Sequence, residues 1–202
     1  MSEPLMPTPA PLTPLAGPMH ESGFDPSSQP GNTHDWGATL YSVFARLGEK
    51  PRPGSPASLG ASTGLEFMRS ISGGGLPMGD TLGFSLVEAE HGRVVFAGTP
   101  APAHYTPLGW VHGGWAATLL DSAMGGAVLS MLPPGRLLTT LELKVNYVRT
   151  LTGETGLVRA EGRVINAGRT TAIAEGHLVG PGGRLYAHGT TTCLILSDPP
   201  VK

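Results

Sequence analysis

Cysteine is nearly absent from this chain: Cys193 is the single one among 202 residues. A lone thiol excludes an intrachain disulfide framework and any multi-cysteine zinc site, and it makes a reducing compartment, the cytoplasm, the expected location. Charge is scarce as well. Charged residues make up only 14% of the chain, with 13 Lys+Arg against 15 Asp+Glu. A charge-rich disordered chain is thereby excluded, and a dedicated nucleic-acid binder would lack the basic excess that phosphates require. Metal-ligand spacing is missing too, because the seven histidines never pair in a pattern such as H-E-x-x-H. No metal is expected. Neither G-x-G-x-x-G nor G-x-x-x-x-G-K-[ST] occurs, so a dinucleotide or nucleotide phosphate cradle is not expected either.

What the chain has in quantity is glycine and proline, 30 and 20 residues, and the two are segregated. Eleven of the prolines but only six of the glycines lie in residues 1–58. The first 32 residues also carry no Lys or Arg and no apolar periodicity. Pro interrupts the front too often for a signal peptide, a helix or a ladder. Residues 1–58 are therefore expected to be a mostly disordered extension, with a possible short helix at 35–47, and residues 59–202 a folded domain.

In that domain, residues 62–71 read as a capped short helix, followed by a Gly-rich loop. Phe84 to Glu90 and Arg93 to Gly98 read as a hairpin about His91-Gly92. Val111 to Leu132 is the longest apolar stretch. Four strand-like runs follow: Leu138 to Arg149, Gly156 to Asn166, Thr170 to Gly180 and Arg184 to Leu196. The order predicts an α+β fold whose one antiparallel sheet covers its apolar face with the long helix. Membrane insertion of that helix is disfavoured by Asp121 at its middle, which would cost several kcal/mol in lipid, and by the lack of flanking basic or aromatic anchors.

At three- and four-residue spacing Asp121 shares a helix face with Gly114, Ala117, Thr118 and Gly125, so something can approach the carboxylate closely. His112-Gly113-Gly114 opens the helix, where unpaired N–H groups at the positive end of the dipole can polarise a carbonyl oxygen. The same letters occur in the oxyanion segment of lipases, but that reading needs a Ser nucleophile elbow, and a Ser hydrolase is disfavoured. Eight residues at 1.5 Å rise separate Gly113 from Asp121 by roughly 12 Å, too far for both to act on one carbonyl carbon. If both are catalytic, the active site lies between two subunits.

Pro107-Leu108-Gly109-Trp110-Val111-His112-Gly113-Gly114, followed by Ala116, Leu119 and Asp121, resembles the PaaI-like branch of hotdog-fold acyl-CoA thioesterases. Residues 139–149, 168–176 and 183–193 resemble that family's third, fifth and last strands, and the likeness covers about residues 62–197. The resemblance implies a hotdog fold, a curved antiparallel sheet wrapped around a long central helix, in homodimers that often pair as dimers of dimers. It implies hydrolysis of an acyl-CoA to carboxylate and CoA, with no cofactor beyond the CoA of the substrate. Gly113 N–H would polarise the thioester carbonyl, Asp121 of the other chain would serve as nucleophile or general base, His112 would shape the oxyanion side, and Thr140 would orient the water or carboxylate. Tyr147, Asn166, Gly168, Arg169 and Thr170 fall where relatives hold CoA, a guanidinium being well suited to phosphate. One position departs: relatives carry Asn six residues before the His, and here it is Thr106, whose hydroxyl has a shorter reach and one donor fewer. Trp110, Trp115 and Met124 suggest an apolar acyl pocket. The alternatives are a non-catalytic hotdog module that binds an acyl-CoA or apolar ligand, and a scaffold dimer whose front segment recruits a partner.

Overall fold

The computed structural model describes residues 62–72 and 76–197; the Pro-rich front, the expected helix over 35–47 and the Gly-rich loop lie outside them. The first helix, α1 (Gly64–Ser70), starts where Thr63 can cap it. Glu66 N–H donates to Thr63 Oγ1 at 3.3 Å, and Thr63 N–H donates back to Glu66 Oε2 at 2.8 Å. The two bonds satisfy orphan donors reciprocally, and the bond from the Thr63 backbone, with that from its side chain, holds the Glu66 carboxyl below its usual range. A second short helix, α2 (Pro77–Leu82), was not expected. Pro77 occupies its first turn, where a missing N–H costs nothing, and Gly83 ends it at φ 68°, a conformation that glycine adopts without strain.

The hairpin falls where the alternation placed it, as β1 (Phe84–Glu90) and β2 (Arg93–Gly98). The long apolar stretch is helical over Gly113–Leu129 only, as α3. It stops three residues short of the expected end because Pro133 and Pro134 follow, and Met131 and Leu132 N–H tighten onto the carbonyls of Val128 and Leu129. The remaining strands are β3 (Arg136–Tyr147), β4 (Val158–Ala167), β5 (Thr171–Val179) and β6 (Leu185–Ser197). All six pair antiparallel in the order β1-β2-β4-β5-β6-β3, and α3 contacts every one of them. This is the hotdog arrangement.

Burial explains why the helix holds. Leu119, Leu120, Met124 and Val128 are fully buried against the sheet, each contributing about 1.5–3 kcal/mol. The closest approach is to β4, where a Cβ on Gly162 would lie 2.3 Å from the Ala123 carbonyl oxygen. Among the described residues no helix is long and apolar enough to cross a membrane.

The sheet bends around α3 through register shifts. Thr140 pairs with Cys193 and Glu142 with Thr192, so Leu141 is an extra residue on β3. Val87 on β1, Ile165 on β4 and Tyr186 on β6 are extra in the same way. Such bulges kink a strand and increase its twist. They also change parity: Leu138 and Thr140 face the helix before the bulge, and Leu143, Val145 and Tyr147 after it, opposite Ile195, Cys193, Thr191, Gly189 and Ala187 in the regular part of β6. Buried Thr191 donates its hydroxyl to the Glu142 carbonyl at 2.7 Å, so the bulge does not leave that oxygen unsatisfied.

Candidate active site

The helix start is built by its loop. Tyr105 bridges Val111, His112 N–H donates to the His104 carbonyl at 2.8 Å, and Val111 N–H to that of Leu151 at 3.0 Å. His104 in turn stacks on Trp115, with ring centroids 5.2 Å apart, and Trp115 Nε1 donates to the Leu82 carbonyl at 2.8 Å. So anchored, His112 is the N-cap: its Nδ1 accepts the Gly114 N–H at 2.9 Å. Gly113 N–H has no acceptor among the described residues. A free donor at the positive end of a 17-residue helix can stabilise negative charge on a carbonyl oxygen. Beside it opens a cavity of about 370 Å³, lined in part by Trp110, Val111, Gly113, Ala116, Tyr147 and Leu151.

Asp121 lies two turns further along α3, half-buried, and accepts the Thr140 hydroxyl at 3.0 Å. The fold thus brings together two residues expected from the sequence to work as a pair, and the bond fixes one carboxylate oxygen and leaves the other unbonded to Thr140. Cys193 packs behind them. Burial first, and then the Asp121 charge, push its thiol up, against hydrogen bonds with Thr191 and Thr140. The nucleophilic thiolate is therefore disfavoured there. The string Gly60 to Gly64 does have the G-x-S-x-G spacing; however, Ser62 lies just before the α1 cap and bonds to no histidine among the described residues. It is not a nucleophile elbow.

A family model described as the thioesterase superfamily matches residues 108–187. Among curated relatives, a Halobacterium salinarum protein named as an esterase is 39% identical over 84 residues, 41% of this chain and 54% of the relative. The chain thus spans about half of that relative's length. A 1,4-dihydroxy-2-naphthoyl-CoA hydrolase of Listeria monocytogenes is 26% identical over 96 residues, 48% of this chain and 76% of the relative. Among solved structures, conserved protein PA5202 of Pseudomonas aeruginosa is 30% identical with a TM-score of 0.56, covering 60% of this chain and 94% of that one. The chain belongs to the thioesterase superfamily. Its PaaI-like character is carried by a mutant of the phenylacetic acid degradation protein PaaI of Thermus thermophilus, at 29% identity and TM-score 0.54, covering 59% of this chain and 98% of that one.

Within this thioesterase-superfamily chain the residues expected to act fall into two groups. His112, Gly113 and Tyr147 meet at the helix start, and Asp121 and Thr140 meet at its middle. Tyr147 was expected with the CoA-holding residues, yet its hydroxyl donates to the Gly113 carbonyl at 2.9 Å. The other members of that set, Asn166, Gly168, Arg169 and Thr170, are exposed about the β4–β5 turn, at the opposite end of β3 from Tyr147. Gly168 N–H closes the turn on the Thr171 carbonyl at 2.8 Å, and the Arg169 carbonyl accepts from Arg136 Nη2 at 2.9 Å. Arg136 was missed by sequence reasoning, because nothing in its neighbours marks a strand start as lying against a distant turn. Thr106 does not line the cavity: its hydroxyl oxygen accepts the Leu108 N–H of its own loop at 3.3 Å. Of the three suggested pocket residues only Trp110 lines the cavity, since Trp115 and Met124 are buried in the core.

Proposed function

We propose that this chain hydrolyses an acyl-CoA thioester to carboxylate and free CoA, in a site shared between two copies of the chain. The observation that carries the proposal is the pair of half-sites, a free Gly113 N–H beside a cavity of mixed polar and apolar lining and a carboxylate held by Thr140, in a chain whose relatives include a CoA-thioester hydrolase. Gly113 N–H polarises the thioester carbonyl, and His112 completes the oxyanion side. Asp121 of the other subunit attacks the carbonyl carbon or takes a proton from the attacking water. Both routes place the electron pair on CoA sulfur; attack by water gives the carboxylate directly, and attack by Asp121 gives a mixed anhydride that a water then cleaves to the carboxylate and free Asp121. A thioester suits a single carboxylate because its thiolate leaves without strong acid assistance.

The subunits join along β3, the sheet edge that carries both Thr140 and Tyr147, and such dimers pair in turn. The exposed turn of Gly168, Arg169 and Thr170, with Asn166 beside it, holds CoA phosphates. Trp110 borders the acyl group.

Turnover of a panel of acyl-CoAs, followed by free thiol, tests the activity. Asp121→Asn should lower the rate by about 10³-fold or more; equal rates would remove Asp121 from the mechanism. CoA binding with no hydrolysis of any panel member would make the protein a binding module. Sharing between subunits has its own test. Gly113 is the first residue of α3 and His112 before it is extended (φ −63°, ψ 134°), a setting in which proline keeps the helix and deletes the N–H, although its ring must turn the Tyr147 side chain aside, so dimer formation by the variant is checked first by light scattering. Mixed Asp121→Asn and Gly113→Pro chains should regain up to about a quarter of wild-type activity, because half of the dimers formed are mixed and each has one intact site. No recovery would place both residues of a site in one chain.

A further inference from the structure

Tyr147 and the helix start are joined more closely than a cavity wall requires. The phenol donates to the Gly113 carbonyl at 2.9 Å, and its ring lies so near that a Cβ at position 113 would meet Tyr147 Cζ at 2.9 Å. That carbonyl belongs to the same peptide unit as the Gly114 N–H, which donates to His112 Nδ1 at 2.9 Å. The phenol, the peptide and the imidazole therefore form one series of hydrogen bonds. A donor on the peptide oxygen draws electron density from the nitrogen, and the N–H at the other end becomes a stronger donor. Nδ1 is the acceptor at the end of the series, so the neutral ring carries its proton on Nε2. Nε2 has no partner among the described residues, and His112 lines the cavity.

We infer that Tyr147 is a positioning residue that sets, through the Gly113–Gly114 peptide, the Nε2–H tautomer of His112, so that the helix start presents two donors to the cavity, Gly113 N–H and His112 Nε2–H. Burial pushes the Tyr147 phenol up, which keeps its O–H available as a donor at neutral pH. The β3 bulge is part of the device. Thr140 and Tyr147 are seven residues apart, an odd separation that would put them on opposite faces of a regular strand. With Leu141 inserted between them, one strand clamps α3 twice, at Asp121 through Thr140 and at Gly113 through Tyr147.

The inference rests on the thioesterase reading for its consequence in rate, and stands apart from it in the state of the histidine ring. Tyr147→Phe keeps the ring and deletes the donor. For the best acyl-CoA of the panel, kcat should fall about 10-fold with KM within about twofold, because a donor aimed at developing charge is worth more in the transition state than in the ground state. Raised KM with unchanged kcat would make Tyr147 a direct CoA contact, and unchanged values of both would leave it no role; either result overturns the inference. Long-range proton–nitrogen spectra of the histidine rings, with the His112 signals assigned by their loss in His112→Gln, give the second readout. The wild type should show the pure Nε2–H pattern and Tyr147→Phe a mixture of tautomers. A proton on Nδ1 in the wild type, or an unchanged pattern in the variant, would overturn the inference even if no substrate were hydrolysed. Failure of the wild type on the whole panel, with the expected spectra, would instead sink only the thioesterase reading.

Discussion

Gly125 and Gly126 are neighbours on α3 and do opposite things. A Cβ on Gly126 would press on Met68 and Val94 at 3.0 and 3.1 Å, whereas one on Gly125 would find nothing nearer than Leu138 at 4.0 Å. Gly126 belongs to a flank where helix and sheet are in contact as tightly as backbones allow, against β2 and β4. Gly125 belongs to the flank of Asp121 and β3, where small residues leave room. The charges divide in the same way. A network of ion pairs lies on the β1–β2–β4 side, where Arg93 reaches Glu88, Glu90 and Glu161, Arg159 reaches Glu88 and Arg163 reaches Glu161. On the other side, Arg136 and Arg149 bond to backbone carbonyls. One flank thus has its spaces filled and its charges paired. The open flank keeps space and leaves these two arginines out of ion pairs, which suits the acyl-CoA site proposed above.

Gly162→Ala strikes the tight flank hardest. The new methyl would have to displace the α3 backbone at Ala123, not a flexible side chain, and overpacking of this kind should destabilise the protein by about 3 kcal/mol. Urea unfolding measures it, and a loss under about 1 kcal/mol would show that the flank is less rigid than its geometry suggests. Removing the shared cation comes next. Burial raises the Glu161 pKa, but the hydrogen bonds from Arg93 and Arg163 outweigh it and hold the carboxyl below its usual range; those from Arg93 and Arg159 do the same for Glu88. A lowered folded-state pKa stabilises the protein fully above the unfolded glutamate value, about 4.3, and the gain is lost as pH falls through the folded value. Arg93→Gln should therefore cost about 1 kcal/mol at neutral pH, and its deficit should shrink as the pH is lowered below about 4. Melting curves of both proteins from neutral to acid pH check the sign, and a deficit that grows in acid contradicts it. The smallest effect belongs to the open flank. Gly125→Ala meets no steric obstacle in the helix, so it should stabilise by about 0.5–1 kcal/mol. The same methyl narrows the approach to Asp121 one turn away, so turnover of bulky acyl-CoAs should fall while that of small ones holds. A thermal shift with equal rates across the panel would mean that the small face is not a passage.

Much of this was legible in the sequence for definite reasons. The β1–β2 hairpin alternates cleanly around His91-Gly92, and Gly92 adopts φ 77°, as a tight turn there demands. Asp121 stood out because a carboxylate inside an apolar helix needs an explanation, and Gly113 because a helix must expose N–H groups at its start. Other features were hidden. Helix α2 rests on a proline and a glycine that read equally well as a loop. Trp115 and Met124 are apolar whether they face ligand or core, and only the wrap of the sheet decides. Nothing local tells Leu141 from any other alternating apolar residue of β3, since a bulge is a mismatch between two strands.

The amino-acid sequence by itself determined the layout, six strands and a long buried helix, because periodicity and turn residues act over a few positions. It also narrowed the groups proposed for chemistry to a carboxylate and a glycine helix start, since metal and dinucleotide motifs are missing, whereas the Cys193 thiol is set aside only by its burial in the fold. Tertiary structure alone decided which of those groups meet. Thr140 reaches Asp121 across 19 residues and Tyr147 reaches Gly113 across 34. Both contacts depend on strand register and on one inserted residue, and register arises from the pairing of segments far apart in the chain.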